Sequence, residues 1–267
     1  MSEVAGAVHD GWIVTKRNLI KIKRIPDLLI FTTIQPIMFV LLFAYVFGGA
    51  IKVPGVNYKE YLMAGIFTQT VAFGSSLTAI GLADDLTRGI VDRFRSLPMS
   101  RAAVLIGRTT SDLLNNLLVV IVMALCGLLV GWRIHAGPGG ALAGFGVLFL
   151  FGYAMSWIAA VIGLAVRSVE VAQSAGFIWL FPMTFLSNAF IPTDTLPDWL
   201  QPVADWNPIS AIVLGLRDLW GNAPEGLARG SGFPAQHPVL LALLWSVVIL
   251  ATFAPMAIIR YRRVSTR

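Results

Sequence analysis

Residues 113–132, LLNNLLVVIVMALCGLLVGW, run for 20 positions without a charge, and residues 141–166, ALAGFGVLFLFGYAMSWIAAVIGLAV, for 26 more. At a rise of about 1.5 Å per residue, such a helix crosses roughly 30 Å of hydrocarbon. Four further charge-free stretches of comparable length flank these two: Leu28–Gly48, Tyr61–Ala83, Val171–Ile191 and Val239–Ile259. Six apolar spans take up about half of the 267 residues and leave no room for an independent water-soluble unit. The composition agrees. Apolar residues make up 57% of the chain and charged residues 13%, with a mean hydropathy of +0.76. A soluble domain carries nearly twice that share of charge. The expected fold class is an all-α polytopic membrane protein with six transmembrane helices, forming one domain over residues 1–267.

The distribution of Lys and Arg sets the expected orientation. With the N-terminus inside, inner segments carry 15 of the 20 basic residues and outer segments carry 5, namely Lys52, Lys59, Arg133, Arg217 and Arg229. Both termini are then cytoplasmic, in the inner (plasma) membrane. No small-residue cleavage site stands near the N-terminus, so no cleaved signal peptide is expected. The net charge of +6 sits beside apolar segments, where phospholipid headgroups account for it better than nucleic acid. In residues 7–24, Val8, Trp12, Leu19 and Ile22 recur at near-helical spacing with Lys16, Lys21 and Lys23 interleaved. That pattern fits an amphipathic helix lying in the interface. A basic stop that only fixes topology fits it too, and the two readings are compatible.

The outer connection 192–238 is patterned as a helical hairpin that dips into the outer leaflet, with Leu196–Ala204 as its first arm. Asn207-Pro208 supplies an N-cap followed by proline at the first helical position. Ile209, Ile212, Val213, Leu216 and Leu219 follow at helical spacing. Trp199, Trp206 and Trp220 suit an interface.

Several chemistries lack their residues. His9, His135 and His237 belong to no HExxH or Cys/His cluster, so no metal site is expected. There is no GxSxG for an activated serine, and hence no catalytic residue is assigned. The single cysteine, Cys126, permits no intrachain disulfide. The spans as drawn hold no ionised side chain of the kind that proton or sodium relays use. Arg108 and Asp112, four residues apart at the inner entrance of the third span, are placed to pair on one helix face. None of the five lysines follows a glycine, so there is no phosphate-binding loop and no cofactor is expected in this chain. Uphill transport then requires a separate ATP-binding subunit.

The receiver for such a subunit is the inner loop 84–101. Asp84 or Asp85 is positioned to cap a short helix, which Pro98 ends. Ile90, Val91, Phe94 and Leu97 form its apolar stripe, and Arg88, Asp92, Arg93, Arg95 and Arg101 offer charged contacts. An ordinary positive-inside loop would account for the arginines alone. Among polar residues within the spans, Gln35, Thr68, Gln69, Asn115, Asn116, Ser187 and Asn188 either line a transport path or join helices by hydrogen bonds. Phe39, Phe43, Phe177 and Phe181 either meet an apolar substrate or simply pack. Gly152, Ser156 and Ala160 form a small-residue stripe suited to close helix packing.

GIVDRFRSLPMSRAAVLIGR, residues 89–108, resembles the cytoplasmic coupling region of ABC-2 type export permeases. FLSNAFIPTDTLPDWLQPVADWNPISAIVLGLRDLW, residues 185–220, is similar to the signature of their daunorubicin/doxorubicin-resistance branch. The resemblance extends over nearly the whole chain. It implies a permease that pairs with a second copy, or with a related permease, and with two copies of an ATP-binding subunit that holds ATP and Mg. It also implies that residues 84–97 contain the coupling helix, with Asp92 where the family often carries Glu. Its substrate path runs near spans one and five, which favours Gln35 and Asn188; with Phe39, Phe43, Gln69 and Phe181 these are the candidate path residues. The implied cargo is a hydrophobic or amphipathic compound such as a drug, antibiotic or complex lipid. A lipid-linked glycan exporter remains an alternative, as does an ATPase-independent carrier or scaffold.

Overall fold

The computed structural model describes residues 26–47, 55–90, 101–190, 192–193, 196–223 and 232–264. The proposed interfacial helix, residues 7–24, lies outside them. Among the described residues the regular structure is helical throughout. In chain order it comprises α1 (Pro26–Leu41, continued by a π-helical turn, Leu42–Phe47), α2 (Tyr58–Gly74), α3 (Ser76–Thr87), α4 (Arg101–Val130), α5 (Gly137–Gly163), α6 (Val169–Phe185), α7 (Gln201–Asp205), α8 (Pro208–Trp220), α9 (Phe233–Gln236) and α10 (Pro238–Val264).

Among the described residues four helical stretches are long and apolar enough to cross a membrane: Tyr58–Thr87, Ala103–Val130, Gly137–Gly163 and Pro238–Arg263. The first joins α2 and α3 across Ser75, whose αR backbone lets the chain continue almost uninterrupted. The Ser75 hydroxyl donates to the Ala72 carbonyl at 2.6 Å, as residues at such breaks often do. α2–α3 is the most enclosed of the four and α10 the least. Of the other two expected spans, α1 with its π turn runs over residues 26–47 and α6 has 17 residues. Each contains a proline, Pro36 or Pro182, which removes one backbone donor and disfavours a regular continuation. α1 passes into a π turn six residues beyond Pro36, and α6 stops three residues after Pro182.

Helix starts follow local chemistry. Asn57, Ser168 and Asn207 cap α2, α6 and α8 by accepting from the backbone N–H of Lys59, Val171 and Ile209. α8 ends at Gly221, whose φ of 71° is the left-handed conformation that glycine tolerates best. The Asn222 N–H then returns to the Arg217 carbonyl at 2.8 Å.

The main departure from expectation is α8. It is buried among α2, α5 and α10, with Ile209, Ile212, Val213, Leu216 and Trp220 fully enclosed. Trp220 is therefore an interior residue: Phe67, Trp132 and Phe145 surround it with ring centroids 5.2–5.3 Å away. Gly144 leaves the space that its indole occupies. Trp199 and Trp206 are exposed, as interfacial tryptophans would be. Arg217, expected as an outer topology charge, is 1% exposed. The expected first arm Leu196–Ala204 is reduced to α7, preceded by turns. In the small-residue stripe of α5, Gly152 receives Val71 and Ser156 bonds its own helix. Two turns beyond Ser156, Gly163 meets the Ala79 backbone.

Candidate functional site

A cavity of about 210 Å³ lies where α1, α2, α3, α4 and α6 converge. α1 supplies Gln35, Pro36 and Phe39, and α2 supplies Gln69, Thr70, Phe73 and Gly74. Ser76, Leu77 and Ile80 come from α3, Asn115, Asn116 and Val119 from α4, and Gln173 and Phe177 from α6. The wall holds five side-chain amides, two hydroxyls, three phenylalanine rings and no charged side chain. Amides in an apolar setting cost free energy unless they find partners, so their convergence marks a place where a polar ligand atom or water is favoured.

Asn116 is the sharpest case. It is 2% exposed, and its Nδ2 is a buried donor with no partner. Its Oδ1 fills the space where Gly74 lacks a side chain. A ligand carbonyl or ether oxygen in the cavity would satisfy the free N–H, which costs roughly 1–3 kcal/mol while unpaired.

An arch of phenylalanines leaves and re-enters the cavity wall. Phe39 stacks on Phe43 at 5.8 Å, and Phe43 on Phe190 at 4.8 Å. The rings of Phe185, Phe181 and Phe177 continue it at 5.7–5.9 Å spacing, and Phe73 closes it 5.6 Å from Phe177. These are favourable offset or edge geometries. Phe177, Phe181 and Phe185 are exposed along α6, as are Met38 and Tyr45 along the first helix.

Of the residues singled out for a substrate path, Gln35, Phe39 and Gln69 line the cavity. Phe43 and Phe181 belong to the arch beside it. Asn188 is elsewhere, in the turn after α6. Its N–H donates to Ser210 Oγ at 3.2 Å, and its carbonyl accepts from Tyr61 Oη at 3.1 Å. Thr68 and Ser187 donate to the carbonyls of Ala64 and Thr184, four and three residues back, and fit the packing role. Gln173, Thr70 and Ser76 escaped the sequence reading. Gln69, Phe73, Ser76 and Ile80 do share one face at spacings of three to four, but that face emerges only once the α2–α3 break is known to leave the helix nearly continuous.

Arg217 holds the turn beyond α6. Its Nε and Nη2 make four hydrogen bonds of 3.0–3.3 Å to the carbonyls of Tyr61, Asn188 and Ala189. Its guanidinium lies 3.4 Å from the Tyr61 ring centroid. Asn207 grips the same turn, donating from Nδ2 to the Met183 and Leu186 carbonyls. Gly65 admits the Ala189 backbone directly against α2.

Beneath the cavity sits a buried polar cluster. Arg108 Nε pairs with Asp112 Oδ2 at 3.3 Å, as their spacing suggested, and Arg108 Nη2 donates to the Leu77 carbonyl at 3.0 Å. Thr78 Oγ1 donates to Asp112 Oδ2 at 2.6 Å. Gly81 provides the opening that the Arg108 guanidinium fills. Because the two charges compensate each other, α4 starts at Arg101 rather than near Leu113.

At the expected coupling loop, α3 extends to Thr87, so Asp84 and Asp85 lie inside it and cap no following helix. Asp84 instead pairs with exposed Arg88 at 2.6 Å. Gly89 ends the helix at φ 65°, and Ile90 is half-buried. Val91, Asp92, Arg93, Phe94, Arg95, Leu97 and Pro98 lie outside the described residues. Arg101 opens α4.

A family profile described as ABC-2 type transporter matches residues 10–219. The daunorubicin resistance ABC transporter permease protein of Streptomyces coeruleorubidus is 33% identical over 246 residues, covering 92% of this chain and 83% of its own. The doxorubicin resistance ABC transporter permease protein of Mycobacterium tuberculosis is 27% identical over 214 residues, covering 80% and 73%.

Proposed function

The chain belongs to the ABC-2 type transporter family, and from that premise we propose that it is the membrane permease of an ATP-driven exporter for hydrophobic or amphipathic compounds. The cargo leaves from the cytoplasm or inner leaflet, and drugs or antibiotics are its first class, as the names of the relatives suggest. The observation that carries this reading is the uncharged amide-and-phenylalanine cavity. Its rings suit a planar apolar body, and its amides suit a few neutral polar substituents.

Members of this family work with an ABC ATP-binding partner. Two copies of that partner and two permease copies form the proposed assembly. In it, α1 with its π turn and the shorter α6 act as first and fifth spans, giving six in all, and α7–α8 form a hairpin that re-enters from the outer side. Both termini face the cytoplasm, and residues 88–98 receive the ATP-binding subunit.

The test is co-purification with the ATP-binding protein encoded beside this gene, native mass, and reconstitution with daunorubicin as the probe. A two-plus-two complex with ATP-dependent efflux supports the reading. Charge inversion at Asp92 and Arg93 then abolishes efflux without loss of membrane insertion. A stable permease that moves the probe without any ATPase overturns it.

A further inference from the structure

A second, larger cavity of about 770 Å³ opens at the end of the bundle assigned to the cytoplasm, between the last turn of α3, the α5–α6 connection and the end of α10. Among the described residues its wall carries three arginines, Arg167, Arg260 and Arg263, and no carboxylate. Arg167 and Arg260 are exposed and make no ion pair with any described residue. The rest of the wall is mostly apolar, with Met256 and Ile259 exposed on α10.

These two continue a longer feature. Leu244, Val248, Met256 and Ile259 are exposed along α10, with Thr252 exposed between Val248 and Met256, and Arg260 and Arg263 stand four residues beyond Met256 and Ile259 respectively. Side chains at such spacings stack along one side of a helix. α10 is the least enclosed of the long helices, so this face meets hydrocarbon along its length. The groove therefore offers an apolar track for an acyl chain that finishes at a cluster of positive charge. That combination matches one ligand chemistry, a phosphodiester attached to a hydrocarbon tail. An acidic protein surface would complement the arginines, but it would leave the apolar track unused.

We propose that this groove is a binding site for an anionic phospholipid of the surrounding leaflet. Arg167 and Arg260 hold the phosphate, and Met256 and Ile259 take the start of an acyl chain. The occupied site would tie the α5–α6 connection to the end of α10 without involving the transport cavity.

The experiment is native mass spectrometry of the full chain in detergent, titrated with phosphatidylglycerol or phosphatidylcholine. The wild type is expected to retain one phosphatidylglycerol per chain, at least tenfold more tightly than phosphatidylcholine. R167Q/R260Q weakens that retention roughly thirtyfold, the factor for two basic groups at a membrane surface. Arg133→Gln, at the opposite end, leaves it unchanged. Met256→Asp keeps all three arginines and loses the lipid, which provides an independent reading if the double variant misfolds. Excess inorganic phosphate does not displace the bound lipid. Equal retention of the two lipids by the wild type overturns the proposal, as does displacement by phosphate alone. So does a folded R167Q/R260Q variant that keeps its phosphatidylglycerol but no longer co-purifies with the ATP-binding subunit, since the groove would then be a protein-docking face.

Discussion

Replacing Arg217 by methionine tests whether a buried cation holds the turn that ends the fifth span. The side chain is 1% exposed, and its donors serve three backbone carbonyls, those of Tyr61, Asn188 and Ala189. Methionine fills a similar volume but donates nothing. The Asn188 carbonyl keeps the Tyr61 hydroxyl, so losing the charged donor costs about 1–3 kcal/mol each at Tyr61 and Ala189 and less at Asn188. Against this, several kcal/mol are recovered because no guanidinium is withdrawn from water. The balance is a loss of about 3 kcal/mol. At ~2–4 °C per kcal/mol, the melting temperature falls by roughly 6–12 °C. Lysine does not rescue the fold, because a single ammonium cannot reproduce the planar fork and its charge stays buried. The assay is tryptophan fluorescence on heating in detergent, which eight tryptophans make sensitive. A cysteine at Ala189, in a Cys126→Ala background, gives the local readout: a maleimide labels it in the variant and not in the parent. If Arg217→Met melts within about 2 °C of the parent and position 189 stays unlabelled, the carbonyls have other donors and the clamp is no clamp.

Three other outcomes are expected. Gly65→Ala drives a methyl group into the Ala189 backbone, so the turn must lift from α2 at a cost of about 1–3 kcal/mol, visible as a lower melting temperature. Asn116→Leu removes a buried donor that has no partner; stability holds or rises while ATP-dependent efflux of a carbonyl-bearing probe falls about tenfold, the loss for one hydrogen bond near 1.4 kcal/mol. A rise in both stability and efflux would show that the amide serves no ligand. At the buried pair, Arg108→Gln and Asp112→Asn are each more damaging alone than the double variant is in proportion, with a coupling of about 1–3 kcal/mol in a thermal-stability double-mutant cycle.

Much of the bundle is legible from charge-free length alone, because hydrocarbon thickness dictates how many apolar residues a span needs. The same reasoning misjudges segments whose charges are satisfied internally. Arg108 and Asp112 offset each other, so α4 begins before the apolar run does. Arg217 finds carbonyls exposed by the end of α6, and a count of basic residues in loops has no access to that geometry. The cavity was partly readable. Gln35, Phe39, Gln69 and Asn116 declare themselves as polar or aromatic residues in apolar runs. Asn188, equally polar and equally placed in sequence, is absorbed by the turn that Pro182 initiates. Separating lining from packing required knowledge of where the two proline-bearing helices stop.

Gly81 and Arg108 occupy one volume between them: the glycine is small so that the guanidinium can lie where a side chain would be. The order of substitution at these two positions is therefore constrained. A lineage that gains alanine at 81 while keeping arginine at 108 passes through a clash. One that shortens position 108 first leaves the Asp112 carboxylate without its counter-charge. Neither single step is neutral, so the two sites, 27 residues apart in sequence, are expected to change together with Asp112 or not at all.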